Sequence, residues 1–420
     1  MTMPLRSLRS VVANILVLVS VVCVGNTIAH GRGLADLETD YPTAPSIQID
    51  PAMITDDDLI QIRAAGFEFV RFGARPPRRD VNPALVDYSA VLRRVRTAGL
   101  RAIVTVFGGR RIWGDGDDSA VSVGNDARFA EFALDFMKFH AVDVAVWEIW
   151  NEPDIDTFLD KREYRTFASV ISTMCTALSA MYPAPSILVG FGFASMPLIS
   201  DEVPRALEDI GVSAARSGCL TDFSVHPYRR VPETAVSSYR DLQRRLNRLK
   251  LTTGVAFSEW GYATYLPVRG TREQASLLLR EFLVTVASGI RLLNIYAWRD
   301  RGTSPYKKED NFGIVSHSGQ PKDAYFALSK LLRVLKNTRK VSFTQRYGVN
   351  ELGLESDAAL TRIIWTEGSE HMTRVAVSRA DQCKRTSFMN EPGDASCGTP
   401  NGGFIIVKAG PEPVGYVINK

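Results

Sequence analysis

Short apolar runs alternate with amphipathic stretches along the chain from residue 46 to residue 335. The apolar runs are rich in β-branched and aromatic residues, which is typical of buried strands, and the stretches between them repeat apolar positions every three to four residues, which is typical of helices. The predicted strands are 46–50, 67–72, 101–107, 142–151, 186–191, 221–228, 254–261 and 291–298. The predicted helices are 55–65, 83–99, 126–140, 161–181, 203–212, 234–250, 271–288 and 324–335.

This strand–helix unit recurs eight times along the chain. Chains that alternate in this way build a parallel sheet covered by helices. The pattern therefore predicts an α/β fold, a (β/α)8 TIM barrel, with a doubly wound open sheet as the alternative. At 420 residues the chain exceeds the roughly 250–300 residues that such a barrel needs, which leaves room for an extra module.

The hydrophobic pattern changes from about residue 340, where the helical periodicity ends. Residues 360–365 and 372–377, separated by the polar turn 367–370, have the pattern of a hairpin, and 404–407 and 414–417 supply further strands. We predict a small C-terminal β-sandwich-like module packed on the barrel. The predicted domains are therefore a signal peptide over 1–29, a catalytic barrel over 30–338 and the β module over 339–420.

The N-terminus has the pattern of an export signal rather than of a folded domain. Arg6 and Arg9 precede an apolar run from Val11 to Val24, and small residues at Thr27 and Ala29 fit a cleavage site after Ala29. The apolar run is short for a spanning helix, although an uncleaved anchor is the alternative. We expect a secreted or periplasmic protein with no stable membrane insertion after cleavage.

The composition excludes few classes of protein. Hydrophobic residues make up 45% of the chain and charged residues 23%, as in ordinary globular domains, and the net charge of +4 gives no reason to expect a nucleic-acid partner. Export permits disulfides, and we expect Cys383 to pair with Cys397 and Cys175 with Cys219, with buried free thiols as the alternative.

Two acidic motifs fall at the ends of predicted strands four and seven. Trp150-Asn151-Glu152-Pro153 ends the first of these strands, and Ser258-Glu259-Trp260-Gly261 ends the second. Two carboxylates on opposite walls of a barrel mouth suit the cleavage of a glycosidic bond, because one protonates the departing oxygen and the other attacks the anomeric carbon or activates water. A gap of roughly 5–5.5 Å would indicate retention of configuration and a wider one inversion.

These motifs, with His226-Pro227-Tyr228 between them, resemble those of the clan A retaining glycoside hydrolases. Within the clan the chain is most similar to family 39, including bacterial exopolysaccharide endoglycosidases and β-xylosidases, over residues 45–420. The resemblance implies that Glu152 is the acid/base and Glu259 the nucleophile.

The same resemblance implies roles for the residues around the two acids. Asn151 would hydrogen-bond the 2-hydroxyl of the sugar, and Arg71 would support the nucleophile. Tyr228 would hydrogen-bond Glu259, with His226 nearby, and two tryptophans would contact the substrate. These are Trp260, beside the nucleophile, and Trp298, which would form the floor of the pocket at the end of strand eight.

Simpler roles compete with three of these. Trp298 could be core packing, His226 a satisfied core histidine, and Arg71 an ion-pair partner of a strand acid such as Glu148. The expected apolar setting that lets Glu152 hold its proton could come from Trp147 and Trp150. Regular strand alternation would also place Asn151 and Glu152 on opposite faces, so both reach the pocket only if the backbone departs from β geometry there.

Arginines are frequent in the loops that follow the predicted strands. Because guanidinium groups pair with carboxylates in a forked geometry, an acidic polysaccharide such as a uronate-bearing exopolysaccharide is one predicted substrate. The alternative is that these arginines pair with loop acids: Asp80, Asp115, Asp117, Asp118 and Asp300. The arginines are Arg75, Arg78, Arg79, Arg110, Arg111, Arg229, Arg230, Arg299 and Arg301.

The five histidines are scattered and show no ligand spacing, so we predict neither a metal nor a cofactor. The expected partner is a carbohydrate, either a polysaccharide or an oligosaccharide. Two other functions use the same cleft: a carbohydrate-binding protein without turnover, and a transglycosylase that shields its intermediate from water. Products formed with a labelled acceptor would distinguish hydrolysis from transfer, and Glu259→Ala would distinguish either from binding alone.

Overall fold

A computed structural model describes residues 33–75, 87–108, 123–179, 187–194, 205–216, 220, 222–251, 254–377, 383–389, 395–397 and 402–419. The predicted signal peptide lies outside these residues. Among the residues described, no helix combines the length and the apolar character that crossing a bilayer requires.

Eight parallel strands close into a barrel in chain order. They are β1 (Ala44–Gln48), β2 (Phe69–Ala74), β3 (Arg101–Val106), β4 (Val144–Ile149), β5 (Leu188–Phe193), β6 (Asp222–Val225), β7 (Gly254–Trp260) and β8 (Leu292–Ile295). β1 pairs with β8, with Ser46 opposite Asn294, and this pairing closes the sheet. The predicted (β/α)8 barrel is confirmed, and the open sheet is wrong.

Helices lie between the strands of the barrel. They are α1 (Asp56–Ala64), α2 (Tyr88–Thr97), α3 (Val123–Phe139), α4 (Tyr164–Ser179), a π-helical turn (Leu207–Val212) continued by α5 (Ser213–Arg216), α6 (Thr234–Arg248), α7 (Thr271–Ala287) and α8 (Asp323–Leu335). α1 shows how the sequence sets a boundary: the Thr55 hydroxyl accepts a hydrogen bond from the Asp58 amide at 3.1 Å, and Gly66 follows the helix at φ +103°.

Several strands are shorter at their carboxyl ends than the apolar runs suggested. β4 stops at Ile149, because Trp150 has a φ of +68° that no strand residue adopts. β6 stops at Val225 and β8 at Ile295, so the residues that follow them belong to the loops of the barrel mouth.

The C-terminal module contains two antiparallel sheets. Its strands are β9 (Lys340–Arg346), β10 (Val349–Glu355), β11 (Ala359–Thr366), β12 (His371–Ala376), β13 (Cys383–Ser387), β14 (Ala395–Ser396), β15 (Phe404–Ala409) and β16 (Val414–Asn419). Six strands form one sheet in the order β14-β13-β16-β11-β10-β9, and β12 pairs with β15 in the other. The predicted hairpin is therefore wrong, since its two strands, β11 and β12, belong to different sheets.

One of the two expected disulfides lies entirely within the described residues. Cys383 and Cys397 are joined by a disulfide with 5.5 Å between their Cα atoms, as expected. Cys175 is buried and disulfide-bonded, but Cys219, its expected partner, lies outside the described residues.

A buried polar cluster links the module to the barrel. Arg280 on α7 donates two hydrogen bonds to Glu233, at 2.7 and 2.6 Å, and the indole nitrogen of Trp365 on β11 donates to the same carboxylate at 2.8 Å. Each of the three side chains is buried and satisfies the others, so the charges are paired away from water.

Candidate active site

The backbone after β4 leaves the strand conformation at the candidate acid. Trp150 and Glu152 both have positive φ values, +68° and +50°, which are unusual for residues other than glycine. The turn is held by the Trp150 amide, which donates to Val106 O at 2.8 Å, and by the Glu152 amide, which donates to Gly192 O at 3.0 Å. Asn151 and Glu152 consequently line the same cavity, and the conflict with strand alternation disappears.

The two candidate catalytic acids converge across the barrel mouth. Glu152 follows β4, and Glu259 is the penultimate residue of β7. A carboxylate oxygen of Glu152, a carboxylate oxygen of Glu259 and a ring nitrogen of His226 all lie within 4.8 Å of one another. The structure thus brings together side chains that are far apart in the sequence.

Arg71 on β2 ties Glu259 to a second, fully buried acid. Its Nη1 donates to Glu259 Oε2 at 3.1 Å, and its Nη2 and Nε donate to Glu148 Oε2 at 2.7 and 3.0 Å. Burial raises the pKa of Glu148, but the charges of Arg71 and His226 and the nearby serine hydroxyls together outweigh burial and lower this pKa to about 2. Arg71 therefore makes both of the contacts weighed from the sequence, one with the candidate nucleophile and one with Glu148.

Tyr228 contacts the other oxygen of Glu259. Its hydroxyl donates to Glu259 Oε1 at 2.9 Å. Burial, and next the negative charge of Glu259, raise the pKa of Tyr228 well above its usual value, so the phenol stays protonated and remains a donor. With Arg71 and Tyr228 as donors, both oxygens of Glu259 are held by groups that favour its ionised form.

His226 contacts the acid rather than the candidate nucleophile. Its Nδ1 lies 2.8 Å from Glu152 Oε1, and the ring is fully buried. Burial lowers the pKa of His226, but the charges of Glu259 and Glu152 outweigh burial, so the pKa is raised from its ordinary value. The imidazole is therefore a hydrogen-bond partner that shares a proton with Glu152.

The acids lie in a cavity of about 590 Å³, here called the catalytic cavity. One wall follows β4 and β5, and the opposite wall comes from the loop after β8. The ends of β1, β2 and β3 also contribute lining residues. The lining residues are Gln48, Arg71, Gly73, Arg75, Thr105, Phe107, Asn151, Glu152, Ile155, Phe158, Ala194, Tyr228, Glu259, Tyr296, Arg301, Lys308, Glu309 and Phe312.

Neither of the two predicted substrate-binding tryptophans lines the catalytic cavity. Trp298 is buried, does not line the catalytic cavity, and donates from its indole nitrogen to Asp58 Oδ1 at 2.8 Å. Trp260 is fully buried and packs edge-on against Phe257. β8 ends at Ile295, and Tyr296, the next residue, lines the catalytic cavity. The sequence pattern did not reveal this residue, because the predicted strand extended to residue 298.

Trp147 and Trp150 do not supply the apolar setting expected around Glu152. Trp150 packs against Phe129 and Phe167, with ring centroids 4.9 and 4.7 Å apart, and Trp147 packs against the core in the same way. The polar neighbour of the Glu152 carboxyl is His226 instead. The two indoles pack into the hydrophobic core and do not line the catalytic cavity.

The rim arginines divide into two groups. Arg299 forms an ion pair with Asp58, and Arg229 donates to Pro227 O and to Ser238. Arg75 and Arg301 line the catalytic cavity. Of the loop acids proposed as partners, Asp300 pairs with Lys322 at 2.8 Å and with none of the described arginines. The remaining rim positions, apart from the exposed Arg230, lie outside the described residues: Arg78, Arg79, Arg110, Arg111, Asp80, Asp115, Asp117 and Asp118.

Among the described residues, one group of side chains is close enough together to ligate a metal ion, and it consists of Glu152, His226 and Glu259. The donors around Glu259 argue for a different use. Arg71 and Tyr228 already occupy its two oxygens, and a cation there would lie beside the Arg71 guanidinium. The arrangement is that of two carboxylates prepared for proton transfer and nucleophilic attack.

No family model and no curated protein matches this sequence. The fold has clear relatives among solved structures. A family 39 glycoside hydrolase from Bacteroides cellulosilyticus WH2 superposes with a TM-score of 0.72 at 17% identity, over 91% of this chain and 81% of that one. At this identity the likeness shows the fold, which this chain shares with that glycoside hydrolase.

Two further structures agree with this assignment of the fold. A family 39 β-xylosidase from Caulobacter crescentus has a TM-score of 0.60 at 14% identity, over 94% of this chain and 98% of that one. A family 30 endoxylanase from Clostridium papyrosolvens C71 has a TM-score of 0.58 at 12% identity, over 90% of this chain and 91% of that one. The C-terminal module is included in these superpositions, since they cover nearly the whole chain.

Proposed function

We propose that this protein is a retaining glycoside hydrolase that cleaves β-glycosidic bonds in a polysaccharide or oligosaccharide. The observation that carries the proposal is the approach of Glu152 and Glu259, whose carboxylate oxygens lie within 4.8 Å. Retaining enzymes place their two carboxyl groups roughly 5–5.5 Å apart, whereas inverting enzymes leave a wider gap for water. The likeness to glycoside hydrolase structures supports the same chemistry.

Glu259 is the nucleophile in the first step. Its carboxylate attacks the anomeric carbon, the bond from that carbon to the glycosidic oxygen breaks, and Glu152 gives its proton to the departing oxygen. Arg71 and Tyr228 donate to Glu259 and keep it ionised before the attack. Because Arg71 is itself anchored by Glu148, it holds Glu259 in one orientation.

The second step releases the sugar from the enzyme. Glu152, now ionised, takes a proton from a water molecule whose oxygen attacks the anomeric carbon, and the bond to Glu259 breaks. His226, 2.8 Å from Glu152, supports the change of protonation by sharing a proton with it. Asn151 and Tyr296 line the cavity beside these acids, where an amide suits a sugar hydroxyl and a ring suits the sugar C–H face.

The finer parts of the proposal concern substrate and location. We propose an exopolysaccharide that carries acidic sugars, because Arg75 and Arg301 line the catalytic cavity. We also propose export to the periplasm or outside the cell, because residues 1–29 have the pattern of a signal peptide. N-terminal sequencing of the exported protein tests the second point: a mature chain beginning at His30 is expected, and an intact Met1 would contradict it.

The test of the reaction compares wild type, Glu259→Ala and Glu152→Ala on β-linked glycans and aryl β-glycosides, with proton NMR of the first product. We expect the wild type to release the β-anomer and each variant to lose activity by roughly a thousandfold, which is about 4 kcal/mol of transition-state stabilisation. Sodium azide should give an α-glycosyl azide with Glu259→Ala and a β-glycosyl azide with Glu152→Ala.

Three results would replace the proposal with another function. Release of the α-anomer from a β-glycoside would indicate inversion. Transfer to a labelled acceptor without net hydrolysis would indicate a transglycosylase. Binding of glycans by the wild type with no turnover of any of them would indicate a carbohydrate-binding protein.

A further inference from the structure

A second cavity of about 310 Å³, here called the side cavity, adjoins the catalytic cavity. The two cavities share a boundary of six residues: Gln48, Gly73, Arg75, Phe107, Tyr296 and Arg301. The side cavity continues past this boundary to Asp50, Met53 and Ile54 on the loop after β1, and to residues 297–300 after β8. A chain of sugars that occupies the catalytic cavity can therefore extend into the side cavity.

The lining residues indicate which end of the substrate enters the side cavity. The wall that carries the acid, formed by Glu152, Ile155 and Phe158, lines the catalytic cavity but not the side cavity. Under the proposed function, on which this inference rests, Glu152 protonates the departing oxygen, so the leaving part of the substrate lies toward that wall. The side cavity then lies on the opposite side, where the retained part of the substrate is held.

Two arginines, Arg301 and Arg75, lie at the boundary of the two cavities. Arg301 is exposed, lines both cavities, and forms no ion pair with any residue that the structure describes. The guanidinium of Arg75 lies 4.2 Å from the centroid of the Phe107 ring, which fixes its plane at the same boundary. By contrast, Arg299 and Asp300, also in the side cavity, are neutralised by Asp58 and Lys322.

The remaining charged side chains in the two cavities are few. Lys308 lies 5.4 Å from the ring centroid of Phe312 in the catalytic cavity, where Glu309 is its acidic neighbour. Asp50 is the exposed acid of the side cavity, and its Oδ1 accepts a hydrogen bond from the Ala52 amide at 2.9 Å. Among the described residues, neither acid lines both cavities, whereas Arg301 and Arg75 do, so the charged side chains that the two cavities share are arginines.

We propose that the side cavity binds a sugar unit that carries a carboxylate, a uronate, next to the unit held between Glu152 and Glu259. Its carboxylate lies at the boundary and accepts hydrogen bonds from Arg301, whose planar fork matches a carboxylate. The Phe107 ring at the boundary and the apolar Met53 and Ile54 beyond it pack against the sugar C–H groups. The enzyme consequently acts on chains in which a uronate precedes the cleaved linkage.

The test measures binding separately from turnover. Full-length Glu259→Gln, which cannot form the covalent intermediate, is titrated by affinity electrophoresis against hyaluronan, alginate, polygalacturonate and glucuronoxylan. Each polymer is compared with its carboxyl-reduced form, which keeps the backbone and loses the charge. We expect at least one acidic polymer to bind roughly tenfold more tightly than its reduced form, with a preference that falls as salt rises.

Matched arginine variants in the same Glu259→Gln background locate the site. Arg301→Gln should remove most of the preference for the acidic polymer, and Arg301→Lys should keep only part of it, because lysine retains the charge and loses the fork. Arg230→Gln is the control, since Arg230 is an exposed rim arginine that lines neither cavity. Equal binding of every acidic polymer and its reduced form, or equal loss with Arg230→Gln, would overturn the inference.

The same titrations separate this inference from the proposed reaction. If acidic glycans bind through Arg301 but wild-type enzyme hydrolyses none of them, the reaction fails and the anion subsite stands. If neutral glycans are hydrolysed with retention and no acidic polymer is preferred, the reaction stands and the subsite fails.

Discussion

The Nδ1 atom of His226 lies 2.8 Å from Oε1 of Glu152; the histidine ring is buried, and the carboxyl lines the catalytic cavity. A protonated imidazole at that distance favours the ionised form of the carboxyl, and a neutral imidazole can accept its proton. The acid of the proposed mechanism is therefore a coupled pair of groups, and its titration belongs to both residues.

Replacing His226 should change the pH dependence of catalysis. The pKa of His226 is raised in the folded protein, so the positive charge persists to higher pH than for an ordinary histidine. In His226→Asn the pair loses the group whose raised pKa keeps its proton, and we expect the alkaline limb of kcat/KM to move to lower pH by roughly one unit. The exposed His371 in the β module provides the control, since His371→Asn should leave the profile unchanged. A limb that stays in place or moves to higher pH would contradict the coupling.

Removing Arg71 should cost both stability and activity. Arg71→Met leaves Glu148 buried without its cation, which we expect to lower the free energy of unfolding by about 3–5 kcal/mol. Adding Glu148→Gln removes the stranded charge and should restore much of the stability. Activity should stay low in the double variant, because Glu259 still lacks its donor. Urea unfolding and kcat/KM measure the two effects, and recovery of activity in the double variant would show that Arg71 acts only on the fold.

Replacing Tyr296 should mainly lower activity, whereas replacing Trp298 should mainly lower stability. Tyr296 lines the catalytic cavity, so Tyr296→Ala should lower kcat/KM by roughly tenfold to a hundredfold with a small change in Tm. Trp298 is buried against Asp58, so Trp298→Ala should lower the free energy of unfolding by about 3–5 kcal/mol. Thermal melts and steady-state kinetics on both variants decide the assignment, and a kinetic defect confined to Trp298→Ala would reverse it.

Glu281 on α7 should make the protein less stable as the pH rises. Both of its carboxylate oxygens are buried and find no hydrogen-bond partner within the described part of the chain, and burial raises its pKa well above the usual value. At low pH such a carboxyl is neutral in both the folded and the unfolded protein. Above the pKa that this carboxyl has in the unfolded chain, it ionises only in the unfolded state. The free energy of unfolding therefore falls as the pH rises, until the pH reaches the pKa of the carboxyl in the folded protein.

Glu281→Gln removes this ionisation at nearly constant volume. We expect its Tm to exceed that of the wild type by more at pH 8 than at pH 5. The control is Glu273→Gln on the same helix, where the side chain is exposed and should show no such trend. An equal difference in Tm at the two pH values would mean that Glu281 is not titrating in the way its burial implies.

The sequence was sufficient to predict the barrel and the convergence of its two acids, because eight apolar runs at regular spacing determine both. It was less informative about where strands end. Ile149 and Trp150 look equally suited to β4, and only the +68° φ of Trp150 separates them. A similar ambiguity at the end of β8 favoured Trp298 over Tyr296 as the aromatic residue of the pocket, since both residues follow the same apolar run.

The β module was predicted less completely than the barrel. β9 alternates half-buried and exposed residues and carries no strong apolar run, so the sequence pattern did not reveal it. β11 and β12 are adjacent in sequence with a polar turn between them, which is the pattern of a hairpin, but β11 pairs with β10 and β16 instead. Which strands pair depends on the whole sheet, and local periodicity does not contain that information.

The contact between Trp365 and the Glu233–Arg280 pair has a practical consequence for anyone who dissects this chain. Cutting the chain after the barrel would remove Trp365 and expose to water the Glu233–Arg280 pair and the apolar surface around it. A truncated catalytic domain should therefore precipitate and not behave as a smaller enzyme. Calorimetry on the intact protein should accordingly record a single endotherm, with the two parts melting together.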